Sequence, residues 1–238
     1  KNGALLTGFR LAGPDLESSP PELWASVSAA LNDALSGLDA GWTVHFETVR
    51  IPCANQERGD FLDPTCRLID EELSETSYFS TEQWLFLTQA PPLSERHSGL
   101  RRLKSWLYEE TERSPTEELR RQTEAFEVGV HRFFNSLCAH LRIARFTSSS
   151  DNDELLQALY HCLSGRWQLT RLPEVPACLD VLLAEDWVQV TPMALGKRLV
   201  RAISLRGYPG DTFPGCLNAL QSLPFSVRWS HRFIVQDY

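Results

Sequence analysis

From Phe225 to Val235 the sequence alternates with a period of two. Phe225, Val227, Trp229, His231, Phe233 and Val235 fall on one side, and Ser226, Arg228, Ser230, Arg232 and Gln236 on the other, with Ile234 the one large apolar exception. Only a strand keeps i, i+2 and i+4 on one face. The stretch therefore commits the chain to a sheet, through a half-buried strand of about eleven residues, long for a globular protein. Just before it, Leu199–Leu205 reads as another strand, broken by the glycines and proline of residues 206–211. Thr212 is then placed to cap a short helix carrying Leu217, Leu220 and Leu223, which Pro224 stops.

The rest of the chain alternates helical and strand periods. Ala4–Leu11 predicts a strand. Ser19-Pro20-Pro21-Glu22 predicts a capping box, followed by a stripe of Leu23, Val27, Ala30, Leu31, Ala34 and Leu38 that Gly41 ends. Trp42–Ile51 predicts a strand. Asp63 can cap a helix with Pro64 in its first position and Leu68, Ile69 and Leu73 on its buried side. The apolar run Trp84-Leu85-Phe86-Leu87 within Glu82–Ala90 predicts a strand covered on both faces. Helix is predicted over Leu100–Leu141, interrupted at Ser114-Pro115, with the core stripe Leu119, Phe126, Val130, Phe133, Leu137 and Leu141. A short strand follows at Arg142–Thr147, then a helix opened by Asp151-Asn152-Asp153-Glu154 and closed by Gly165. A short helix at Cys178–Ala184 and a strand at Trp187–Val190 complete the pattern. Runs of this kind predict an α+β fold, two small mixed-sheet lobes linked by a long helical segment: residues 1–93, a helical insert over 94–145, and 146–238.

Charge is spread unevenly over a net of −8. Residues 1–93 carry five basic and fourteen acidic side chains, residues 94–145 ten and eight, and residues 146–238 eight and nine. Counterion release from nucleic acid needs a basic face, so the first third excludes wrapping DNA or RNA. The middle segment is the place for a partner surface, because its charge opposes the rest of the chain. Arg101, Arg102, Lys104, Arg113, Arg120 and Arg121 are the candidate interaction residues there. A weak nucleic-acid-binding module on those arginines is the alternative reading.

No chemistry-bearing constellation emerges. A phosphate-binding loop needs two glycines at fixed spacing before Lys and Ser/Thr. The only Gly-Lys pair, Gly196-Lys197, has Thr191 at the first glycine position and Arg198 at the hydroxyl position. Gly207-Tyr208-Pro209-Gly210 is what a turn requires for φ alone. The six cysteines contain no C-x-x-C pair, and Cys138 and Cys162 fall in apolar helical patterns as small core residues. No disulfide framework is expected, which points to a reducing compartment. The six histidines do not cluster with carboxylates, and Asp70-Glu71-Glu72 diverge around a helix as a solvated face. No catalytic, cofactor-binding or metal-ligating residue is assigned. No apolar run reaches the roughly eighteen residues of a membrane span. The only methionine is Met193, so Lys1 is not a natural start and the chain is expected to be a piece of a longer protein.

Several blocks share one resemblance: residues 8–18, Gly41-Trp42-Thr43-Val44-His45-Phe46-Glu47, Phe61-Leu62-Asp63-Pro64-Thr65-Cys66-Arg67-Leu68-Ile69-Asp70-Glu71-Glu72, and residues 199–234. In that order they resemble the N-terminal domain of type IV secretion ATPases of the CagE/TrbE kind. The resemblance implies an assembly and docking domain of a hexameric motor at the cytoplasmic face of the bacterial inner membrane, where the motor powers conjugative transfer and pilus biogenesis. It implies inner-membrane secretion-channel subunits, the protein's own C-terminal ATPase domain and further copies as partners, with no direct contact to nucleic acid. ATP and Mg belong, on this reading, to a motor domain outside these residues, and the fragment itself is not an enzyme.

Overall fold

The computed structural model describes residues 3–14, 18–53, 59–75, 78–90, 115–175, 179–183, 187–188, 193–195, 198–204 and 215–236. In chain order they form β1 (Leu5–Ala12), α1 (Pro21–Ser36), β2 (Trp42–Pro52), α2 (Pro64–Glu75), β3 (Phe79–Gln89), α3 (Pro115–Leu137), β4 (Arg142–Arg145), α4 (Glu154–Ser164), α5 (Leu179–Leu182), β5 (Trp187–Val188), β6 (Ala194–Leu195), β7 (Arg198–Leu199), a 3-10 turn (Asn218–Ser222) and β8 (Val227–Ile234). Five strands make one sheet in the order β4-β1-β3-β2-β8, and β5-β6-β7 make a small antiparallel ribbon. β3 lies between β1 and β2, the two strands that α1 joins, and β1 lies between β3 and β4, which α3 joins. The sheet is thus two interleaved split β-α-β units, with β8 added at the β2 edge.

The α+β class is as the sequence predicts. The strand pairing crosses the divisions drawn at 93 and 145, because β8 runs antiparallel to β2 in the register Thr43↔Ile234 through Arg50↔Val227. Strands adjacent in sequence are only the commonest neighbours, and nothing local in residues 227–234 names a partner. The chain forms two compact units, each assembled from three separate segments: residues 1–9, 88–126 and 144–212 in one, and residues 10–87, 127–143 and 213–238 in the other.

In the second unit the core is apolar and continuous. Trp84, Leu85, Phe86 and Leu87 are all buried, as the unbroken run predicts, along with Trp42, Val44, Ala30, Ala34, Leu38, Val130, Phe133 and Leu137. The Trp42 indole lies where a Cβ on Gly129 would collide with it, so the glycine lets α3 come close to β2. In the first unit Phe9, Phe126, Leu156 and Ala158 are buried. There Gly8 has the Phe146 ring and the Leu155 side chain where its Cβ would be, and its carbonyl accepts from the Phe146 N–H at 3.0 Å.

Local signals mostly hold. Asp153 caps α4 by accepting from the Leu156 N–H at 2.8 Å, and Gly165, at φ 65°, closes it in the left-handed region. α3 is described from Pro115, and the helix expected before the interruption at Ser114-Pro115 lies outside the described residues.

Several expectations change. Pro20, not Ser19, stands at the cap of α1, and no side chain caps that helix, so the capping box does not form. Leu119 is exposed, and the buried stripe of α3 begins at Phe126. Cys138 is exposed and Cys162 half-buried. The strand expected at Leu199–Leu205 stops at Leu199, apart from one further bond from the Val200 N–H to the Met193 carbonyl. Ile203 is 89% exposed, so no burial holds an extended ladder there. Thr212 lies outside the described residues, and from residue 215 on the helix expected after it is described as the 3-10 turn; the final strand is eight residues long because Phe225, Ser226 and Val235 lie outside it.

Candidate functional site

Of the six basic residues nominated from sequence, Arg101, Arg102, Lys104 and Arg113 lie outside the described residues. Arg120 and Arg121 are in α3. Both are paired within their own helix: Arg120 stands 3.4 Å from Glu124, and Arg121 donates to Glu118 at 3.0 Å. Exposed i,i+3 and i,i+4 pairs of this sort stabilise a helix by a few tenths of a kcal/mol. Their larger effect is to neutralise the two guanidinium groups locally, leaving little net positive field at this point of α3.

Polar groups do gather where β2 meets β8. His45 lies opposite Arg232, Glu47 opposite Ser230, and Val49 opposite Arg228, all on one face of the pair. Glu47 is buried. Its Oε1 accepts from the Ser230 hydroxyl at 2.5 Å, and Arg228 Nε stands 3.5 Å from Oε2, an ion pair without hydrogen-bond geometry. Burial pushes the Glu47 carboxyl above its usual range, opposed by the Ser230 hydrogen bond and the Arg228 charge. Burial, aided by the Arg232 charge, holds His45 below the usual imidazole range. On the opposite face the Trp229 N–H points at the His231 ring nitrogens, 2.8 Å away, and burial lowers the His231 pKa as well. A ring nitrogen can accept that bond only while unprotonated. These contacts join two strands far apart in sequence. Their chemistry is that of a fastening. Sequence patterning did not single out Glu47, since an acid at that place in an alternating strand reads as solvent-facing.

The element that departs most from its predicted environment is α2. Asp63 caps it, accepting from the Thr65 N–H at 2.7 Å, and that bond holds its carboxyl below the usual range. Asp70 Oδ2 accepts from the Gly59 N–H at 3.2 Å, and Arg67 Nε donates to the Phe61 carbonyl at 2.9 Å. The polar side of the helix is therefore tied to the loop that leads into it, and Asp70 and Ser74 are its half-buried residues. The side expected to be buried faces out: Leu68 is 66% exposed, Ile69 52% and Leu73 44%, with Leu62 just ahead at 94%. Isolated exposed apolar residues are ordinary, but an apolar row on one helix face marks an interaction surface. This apolar face is the candidate functional site. The periodicity of residues 62–73 identifies the apolar side correctly. It does not reveal that no other described segment of the chain covers it.

Among the described residues, no group of three or more His, Cys, Asp or Glu could hold a metal ion, and no helix is long and apolar enough to cross a membrane.

Residues 1–97 match the family described as type IV secretion system ATPase VirB4/TrbE, N-terminal domain. The conjugal transfer protein TrbE of Rhizobium radiobacter is 32% identical over 256 residues, an alignment that takes in 100% of this chain and 31% of that protein. Two Sinorhizobium fredii chains, which share between them the name of a probable conjugal transfer protein TrbE, are also similar. One is 33% identical over 96 residues (40% of this chain and 14% of that protein). The other is 33% identical over 99 residues (38% and 66%). The chain thus spans about a third of the length of the Rhizobium protein.

Proposed function

We propose that this chain, whose residues 1–97 belong to the VirB4/TrbE family of type IV secretion system ATPases as its N-terminal domain, is the assembly and docking domain of a conjugal-transfer ATPase. The observation that carries the reading is α2, whose apolar side is exposed among the described residues. A domain that used α2 only for its own stability would turn Leu68, Ile69 and Leu73 inward. On this reading the ATPase chemistry, with ATP and Mg, belongs to the remaining length that the TrbE relative has and this chain does not cover. The partners are inner-membrane channel subunits and further copies of the same protein, at the cytoplasmic face of that membrane. Pilus biogenesis and conjugative transfer are the processes served. The nucleic-acid alternative loses ground because Arg120 and Arg121 already have carboxylate partners.

The test is crosslinking in membranes from cells that carry the complete transfer system. The chain, expressed with a photoreactive residue at its surface, should crosslink to membrane-embedded components of the channel and should compete with the full-length ATPase, lowering transfer frequency. Absence of both effects contradicts the docking reading. ATP turnover by the isolated chain above a protein-free blank contradicts the assignment of the chemistry to another domain.

A further inference from the structure

Glu47 is the only acid in β2 or β8, and its two oxygens are treated unequally. Oε1 accepts from the Ser230 hydroxyl. Oε2, itself buried, receives no hydrogen bond among the described residues, and the Arg228 Nε stands 3.5 Å from it. A carboxylate removed from water is stable only if hydrogen bonds and opposite charge replace all that hydration supplied. Part of that replacement is missing here, and the carboxyl is accordingly pushed above its usual range.

Apolar packing does little to hold β8 down. The strand lies at the edge of the sheet and pairs, among the described strands, with β2 alone. None of its eight side chains is buried: Val227, Trp229 and His231 are half-buried, and the other five are exposed. By contrast β3 buries Trp84, Leu85, Phe86 and Leu87, and β2 buries Trp42, Val44 and Val49. Pro224, Phe225 and Ser226, which lead into β8, are exposed as well. Segments with little apolar burial open at lower free energy than the core they rest on.

We infer that β8 is a releasable edge strand: it lifts from β2 as a unit while β2 and β3 stay folded, and Glu47 sets how readily it does so. The Ser230 hydroxyl holds the strand in register, and the second carboxylate oxygen keeps the junction from locking. In the lifted state that oxygen regains water. β2 then becomes the edge of the sheet, with free backbone N–H and C=O groups between Thr43 and Arg50. The inference rests on the β2/β8 pair alone and does not depend on the docking reading.

Amide hydrogen exchange of the chain at about pH 7, over denaturant concentrations below the unfolding transition, reads this opening directly. The β8 amides directed at β2 should exchange roughly tenfold or more faster than those of Trp84–Leu87. Their exchange should depend little on denaturant, because lifting one edge strand exposes little surface. Glu47→Gln keeps an oxygen for the Ser230 hydroxyl and removes the charge, and should slow β8 exchange by a few-fold. Ser230→Ala should speed it by a similar factor.

Exchange of β8 at the rate of Trp84–Leu87, with the same denaturant dependence, overturns the inference, because the strand then opens only with the core. Exchange that Glu47→Gln leaves unchanged or speeds overturns the role given to the carboxylate. The wild-type comparison of β8 with β3 is decisive on its own should the Glu47 variant fail to fold.

Discussion

The β8 strand and the α2 helix begin from the same kind of sequence signal and end in different environments. Each has one apolar side and one polar side, at the period its structure requires. β8 finds partial cover within the chain: β2 pairs with it along eight residues, Val227, Trp229 and His231 are half-buried while Phe233 stays 44% exposed, and Glu47 reaches Ser230 across the strands. α2 finds no cover for its apolar side among the described residues, and its hydrogen bonds run from the polar side to its own entry loop. The difference teaches that amphipathic patterning states which side seeks burial, and says nothing about whether the same chain supplies the partner.

Truncations should separate the two regions, the largest effects lying where the sheet is closed. Trp84→Ala, at the fully buried centre, should cost about 3–5 kcal/mol in chemical denaturation. A loss below about 1 kcal/mol would show that the β3 core is not closed as described. Trp229→Ala removes a ring that is only half-buried on β8, and should cost about 2 kcal/mol. Ser230→Ala, which takes the hydroxyl donor from the buried Glu47 carboxylate, should cost about 1.5 kcal/mol. If the serine variant is as stable as wild type, Glu47 does not fasten β8 to β2.

The β2/β8 pair should also respond to pH. His45 and His231 have folded-state pKa values below the ordinary imidazole value. As pH falls through that range near 6.5 the unfolded chain binds more protons than the folded one, so stability drops. Glu47 acts with the opposite sign. Its raised pKa makes the folded state bind its proton first, so acidification through the carboxylate range adds stability from this group. His45→Gln with His231→Gln should flatten the decline in melting temperature between about pH 7.5 and 5.5, and an unchanged slope would assign the decline to other groups. At the small end of the series, Ile69→Ala and Leu73→Ala in α2 should each stay within about 0.5 kcal/mol of wild type. A loss comparable to that of Trp229→Ala would mean that the chain does bury this helix.

Much of the fold is legible in the sequence. The run Trp84–Leu87 predicts its own burial, and Asp63, Asp153 and Gly165 mark helix ends, because each is a local requirement of backbone or packing. The pairing of β8 with β2 is not legible, since a register such as Thr43↔Ile234 is decided by contacts between distant segments. The strand predicted at 199–205 is an over-reading for a related reason: alternation at Leu199 and Ile203 has no effect where nothing covers either side chain. The candidate site is half legible. Leu68, Ile69 and Leu73 fall on one face by their spacing, and only the structure shows that face turned to solvent, with the half-buried side chains Asp70 and Ser74 on the other side of the helix.

On the docking reading, the most direct test introduces Ile69→Glu and Leu73→Glu into the protein that carries this chain, in cells with an active conjugal transfer system, and measures conjugative transfer frequency at matched protein level. A partner-covered α2 face predicts a fall of roughly tenfold or more while the protein accumulates as wild type does. Transfer at the wild-type frequency would contradict the account.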